Sequence, residues 1–233
     1  MLFKKYWIYC FLFLLLADAF ALSVQSKEAH FILKLFLMPV LIIGLLHNKR
    51  HVVEKNWRLI LAGLVTAWAG DVMLLFSEHQ ELFFIIGLVC FLCTHLAYIV
   101  YFSRYNQSIF NFLKMHLLLA ALVILYAILL VLFLRNGLGA LLIPVIVYTI
   151  VITVMVLQSM AARQFLASET GNKFVAGAIA FIISDSLLAI AKFSKPFFLS
   201  EPAIIITYGI AQLLIVQGVI KNTDKKLLTP IKM

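Results

Sequence analysis

The chain has 233 residues, 64% of them hydrophobic and only 12% charged, with a mean hydropathy of +1.08. Soluble domains carry roughly 45–50% apolar and about 25% charged residues, so a cytosolic enzyme, a secreted disulfide scaffold and a disordered chain are excluded. The net charge of +9 would point to nucleic acid in a soluble protein; in a membrane protein the same excess marks the cytoplasmic loops.

A membrane-crossing helix needs about 20 apolar residues. Eight such runs follow one another at 6–24, 31–47, 57–77, 82–102, 112–134, 138–160, 174–193 and 203–220. Short connectors hold most of the polar residues, so residues 1–233 read as a single all-α transmembrane bundle with no separate soluble domain. Backbone groups in lipid must be satisfied within the segment, which fits helices and not the alternating strands of a barrel. The first run follows Lys4 and Lys5, and Ala17-Asp18-Ala19 loosely resembles a signal-peptidase site. A cleaved signal is the alternative there; the long apolar stretch and Asp18 beside the site favour a retained helix. Cys10, Cys90 and Cys93 all stand inside apolar runs. The Cys90-x-x-Cys93 spacing lacks a nearby His/Cys partner pair, so all three read as buried hydrophobes and no metal site is expected.

Sorted by loop, with the N-terminus inside, the inner set of basic residues is Lys4, Lys5, Lys49, Arg50, Lys55, Arg58, Arg104, Lys114, Arg163, Lys173, Lys221, Lys225, Lys226 and Lys232. The outer set is Lys27, Arg135, Lys192 and Lys195, with Lys34 apart inside the second run. That asymmetry predicts cytoplasmic N- and C-termini. The expected location is a bacterial inner membrane, with no nucleic-acid partner.

Ala62-Gly63 is followed six residues later by Gly70-Asp71 and then Leu74, and Ala176-Gly177 six residues later by Ser184-Asp185 and then Leu188. The shared pattern A-G-x6-[GS]-D-x2-L recurs at an offset of 114 residues. It suggests a four-plus-four parallel duplication of a kind known in transporters; chance matching of small and apolar residues is the competing account.

Ionisable groups inside a membrane are costly, at least ~2.5–3.5 kcal/mol at the centre on insertion scales, and are functional candidates by default. They are Asp18, Lys34, Asp71, His95, Asp185 and Lys192, with Tyr98, Tyr208 and Gln212 as polar neighbours. Asp71 and Asp185 fall at similar depth in their runs. His95 and Tyr98 share a helix face, as do Tyr208 and Gln212. Asp18, Lys34 and Lys192 lie toward outer helix ends, where snorkelling to the interface is the plainer account. The aspartates and His95 could be structural hydrogen-bond partners and the tyrosines packing residues. His47, His51, His79 and His116 lie in or beside loops, and no function is read for them. Pro39 and Pro144 are expected to kink their helices.

Together these segments resemble the YhhN family of membrane proteins, which includes the lysoplasmalogenases. The matching pieces are K-L-F-L-M-P (34–39), A-G-x6-G-D-V-M-L-L (62–75), G-L-V-C-F-L-C-T-H-L-A-Y (87–98), A-G-A-I-A-F-I-I-S-D-S-L-L-A (176–189) with Lys192-Phe193, and T-Y-G-I-A-Q-L-L-I (207–215). Their order and spacing carry the resemblance more than any one piece does. It implies about eight helices, a lysophospholipid substrate among membrane lipids, and hydrolysis of the vinyl-ether bond of a lysoplasmalogen to a fatty aldehyde and glycerophosphocholine or glycerophosphoethanolamine. It implies no cofactor. The family's polar motif residues carry over to Lys34, Asp71, His95, Asp185 and Lys192.

The residues suit that chemistry. Vinyl-ether hydrolysis starts with protonation of the β-carbon, which creates an oxocarbenium ion; water adds and the hemiacetal collapses. The two-carboxylate logic of glycoside hydrolysis is the nearest analogue. Asp71 and Asp185 are therefore the expected catalytic pair, with His95 positioning one of them or the water. Lys34 and Lys192 lie where a substrate phosphate could reach, and Tyr98, Tyr208 and Gln212 complete the expected binding set. The rival reading is a proton- or cation-coupled transporter or channel, since matched mid-membrane carboxylates can also carry ions. A non-catalytic lipid-binding protein is a third.

Overall fold

The computed structural model describes residues 6–48, 56–77, 80–105 and 109–226, apart from the side chains of 223–226. The helices are α1 (Tyr6–Ser23), α2 (Lys27–Asn48), α3 (Trp57–Leu75), α4 (Glu81–Ser103), the short α5 (Ile109–Met115), α6 (Leu117–Leu138), α7 (Leu142–Arg163), α8 (Ser168–Phe193) and α9 (Ser200–Lys226). There is no strand among the described residues. Among the described residues seven stretches have the length and hydropathy of a membrane crossing, and the longest, Leu117–Arg163, is 47 residues. That stretch is two helices. The chain turns at Gly139–Leu141, where Gly139 takes φ +48°, and folds back so that Ala120 of α6 meets Leu157 and Ala161 of α7. The protein is a multi-pass membrane protein, with eight long helices among the described residues.

Element limits differ from the hydropathy runs where helices continue into polar sequence. The second helix starts at Lys27, the penultimate one at Ser168, and the last spans Ser200–Lys226. Hydropathy marks the apolar span, whereas hydrogen bonding carries a helix on into the interface. The fifth run breaks at His116 (φ −124°, ψ 43°), where the Gln164 amide donates to the His116 ring at 2.6 Å. α6 therefore starts at Leu117, five residues later than the run beginning at 112.

Lipid offers no hydrophobic drive for helix association, so close packing through small residues has to hold the bundle. α3 with α4 and α8 with α9 are the most intimate pairs. A Cβ at Gly63 would stand 2.2 Å from the Tyr98 ring, and one at Gly177 would stand 3.0 Å from the Ala211 carbonyl oxygen. These glycines open the two repeated motifs, and each is the point at which its helix approaches the next. α1 belongs to the same core: Phe11, Leu15 and Asp18 are buried. The second set of long helices begins 111, 115, 111 and 119 residues after its counterparts in the first.

Candidate functional site

The two aspartates do not share partners; each anchors its own cluster. Asp71 on α3 is buried and accepts a hydrogen bond from the Tyr208 hydroxyl of α9 at 2.8 Å. The ammonium of Lys34, on α2, stands 3.9 Å from its other oxygen. Asp185 on α8 accepts from Tyr148 of α7 at 2.5 Å and from His95 of α4 at 3.1 Å, both on Oδ2. His95 Nε2 is also 2.9 Å from the Tyr148 hydroxyl. Nε2 is the ring nitrogen placed to donate to the Asp185 carboxyl. Nδ1 is buried with no hydrogen-bond partner among the described residues.

Phe181 separates the clusters. Its ring packs edge-on against His95 (4.7 Å) on one side and Tyr208 (5.6 Å) on the other. Tyr98 and Gln212 are fully buried and bond to each other at 2.6 Å. They line neither of the two cavities described below. Asp18 is buried, 0% exposed, and bonded to His30 at 2.6 Å, so the expected snorkelling does not occur. Its partner His30 sits one turn into α2, where the chain doubling back from α1 brings the two side chains together.

Two cavities reach these residues. A cleft of about 620 Å³ is lined by Lys34 and Lys192 together, with Lys27, His30 and Glu201. A narrower cavity of about 50 Å³ between α4, α6, α7 and α8 is lined by Asp185 and Tyr148, with Tyr126 and Ser186 among otherwise mostly apolar side chains. The two expected substrate lysines therefore share one cleft, and Asp185 opens onto the other space. The Lys192 ammonium lies 4.9 Å over the Phe84 ring. No group of three metal-ligating side chains occurs among the described residues, and the cysteines are free.

The chain matches the YhhN family over residues 29–219. It belongs to the YhhN family. It is also similar to the lysoplasmalogenase TMEM86A of Bos taurus, 30% identical over 169 residues. That match covers 71% of this chain and 66% of the relative, so the chain spans slightly less than two thirds of the relative's length. No solved structure matches the chain.

The sequence reading missed Tyr148, the closest partner of Asp185. A lone tyrosine in an apolar run carries no signal by itself. The 114-residue offset does carry one: Tyr148 follows Lys34 by that interval, as Asp185 follows Asp71 and Gln212 follows Tyr98. In this YhhN protein Lys34 holds Asp71 as Tyr148 holds Asp185, so corresponding positions hold the two carboxyls with different chemistry. Asp71 is closed in by a tyrosine and a lysine. Asp185 keeps 15% of its side chain exposed, and its described hydrogen bonds fall on one oxygen, so the other can meet a guest.

Proposed function

We propose that the protein hydrolyses the vinyl-ether bond of a lysoplasmalogen, with Asp185 as the reacting carboxyl. The observation that carries this reading is a carboxyl on the wall of a largely apolar cavity, held from behind by two donors. In the reaction, protonated Asp185 gives its proton to the β-carbon of the vinyl ether, leaving an oxocarbenium ion and a carboxylate. Tyr148 and His95 donate to the carboxylate that this step creates, so they stabilise charge that develops in the transition state. The same carboxylate then takes a proton from the attacking water, which regenerates the acid and leaves a hemiacetal. Collapse of the hemiacetal gives a fatty aldehyde and the glycerophospho head group. One carboxyl alternating between acid and base repeats the logic of retaining glycosidases.

Asp71 acts through Lys34. The ion pair holds the ammonium at the edge of the cleft, where it meets the substrate phosphate together with Lys192. Tyr208 fixes Asp71 in turn, while Tyr98 and Gln212 brace α4 against α9. The similarity to a lysoplasmalogenase and the membership of the YhhN family support the reaction class.

The test is an assay of purified, detergent-solubilised protein against lysoplasmalogen, with the saturated ether lysolipid as control. Protonation of carbon cannot produce an oxocarbenium ion from the saturated ether. Aldehyde release from the vinyl ether alone is the expected result. Turnover of neither lipid in detergent, together with substrate-dependent proton or cation flux in sealed vesicles, would replace this reading with the transporter.

A further inference from the structure

Three side chains, Leu74, Phe84 and Leu188, line both the cleft and the cavity. We infer that these three form a doorway, and that the cavity behind it is the binding site for the aliphatic chain of a single-chain amphiphile whose charged head group stays in the cleft. The choice of amphiphile rests on the hydrolase reading; the test below reads binding and not turnover.

Polarity assigns the two ends. The cleft carries Lys27, His30, Lys34, Lys192 and Glu201. The cavity offers Leu130, Val131, Leu134, Val145 and Ile152, surroundings that suit methylene groups and would leave a charged head group without partners. α8 connects the two. Asp185, Leu188 and Lys192 stand at i, i+3 and i+7, one stripe of a helix. Along that stripe the reacting carboxyl, the doorway and the phosphate anchor come in order, with about 10 Å of rise from first to last. A lysolipid laid along the stripe has its phosphate at Lys192, its glycerol at the doorway and its first chain carbons at Asp185.

The doorway is built to move. Phe84 packs edge-on against Phe193 at 5.8 Å, and the Lys192 ammonium rests on its ring. A phosphate that engages Lys192 competes with that cation–π contact and so frees the ring as the head group arrives. Leu74 can sit back because position 87 is glycine: a Cβ there would be 3.0 Å from Leu74 Cδ2. At about 50 Å³ the cavity is smaller than the ~150 Å³ that accepts benzene in an engineered apolar cavity, so a chain must push its walls apart. One wall is able to yield. α6 packs chiefly on α7 and α8, and Leu122, Leu125, Leu129 and Phe133 on the same helix are exposed. The narrow cavity suits one chain and not two.

The experiment uses the full chain in detergent and a saturated ether lysophosphatidylethanolamine with a photoactivatable diazirine at the end of its chain. Cross-linked peptides are mapped by mass spectrometry. Labelling is expected on α6 and α7 at the cavity lining, between Tyr126 and Leu134 and between Val145 and Ile152, and unlabelled ether lysolipid should compete it away. Ala127→Trp fills the cavity and should reduce this labelling about tenfold, whereas Phe84→Ala should speed it. Gly87→Ala, which pushes Leu74 into the doorway, should slow it. Labelling confined to the exposed residues of α6 and insensitive to competitor would overturn the proposal, as would unchanged labelling in a folded Ala127→Trp. If that variant does not fold, Ala127→Leu and the wild-type map decide the question. Cavity labelling without any hydrolysis of vinyl ether would leave the chain site standing and remove the hydrolase reading. Hydrolysis with labelling elsewhere would do the reverse.

Discussion

Asp71 and Asp185 occupy corresponding places in the recurring sequence pattern, but they have different neighbours: Tyr208 and Lys34 for one, Tyr148 and His95 for the other. In the proposed mechanism Asp185 supplies the proton that starts the reaction, so Asp185→Asn is expected to abolish aldehyde release while leaving the protein folded. Removing a single donor to developing charge costs about 10²–10³ in kcat, and Tyr148→Phe should fall in that range with little change in KM. In the same proposal Asp71→Asn and Lys34→Met act on head-group binding, which is equal in the ground and transition states, so they should raise KM more than they lower kcat. Equal losses of kcat in Asp71→Asn and Asp185→Asn would return the mechanism to a pair of cooperating carboxylates.

At the scale of the helix, contact depends on how closely backbones can approach. α8 meets α9 at Gly177, where a Cβ would stand 2.9 Å from Ile215 Cγ1 as well as 3.0 Å from the Ala211 carbonyl oxygen. The backbone atom cannot turn aside as a side chain can. Gly177→Ala should therefore destabilise the protein by about 1–3 kcal/mol, the usual cost of overpacking. Ile179→Ala, at a 39% exposed position of the same helix, should be nearly neutral. Thermal denaturation in detergent checks both, and equal melting temperatures would show that the helices part without cost.

For the whole molecule, the four-plus-four duplication suggested by the recurring motif makes a mechanical prediction. If each half is a four-helix unit, residues 1–105 and 109–233 expressed as separate chains should co-purify, joined by contacts such as Tyr98 to Gln212. Failure to associate, with both fragments present in the membrane, would argue for one indivisible bundle. Orientation is the second prediction at this scale. Lys27 and Lys192 line the cleft, while Arg163 pairs with Asn172, Lys173 with Gln217 and Lys221 with Glu169 among the inner set. Lys4, Lys5, Lys49, Arg50, Lys55 and Lys232, which also count in the basic asymmetry, lie outside the described residues, as do His51 and His79. Reporter fusions at 49–55 and at the C-terminus should read cytoplasmic, and fusions at 78–81 should read outside. A C-terminus found outside would require an odd number of crossings.

Composition and hydropathy by themselves determined that this is a multi-pass helical protein, because about 20 apolar residues in succession have few other stable places to go. The motifs also singled out Lys34, Asp71, His95, Asp185 and Lys192, since ionisable side chains stand out against apolar sequence. Which of them meet was decided only by tertiary structure. His95 reaches Asp185 across 90 residues and Tyr208 reaches Asp71 across 137, distances that a pattern read within one helix cannot span. Tyr148 shows the limit most clearly. A tyrosine in an apolar run reads as packing until a carboxylate from another helix arrives 2.5 Å from its hydroxyl. Asp18 reads as an interfacial residue until α2 folds back and places His30 against it. In each case the type of side chain is local information, but its role depends on which neighbour removes it from lipid and satisfies its polar atoms.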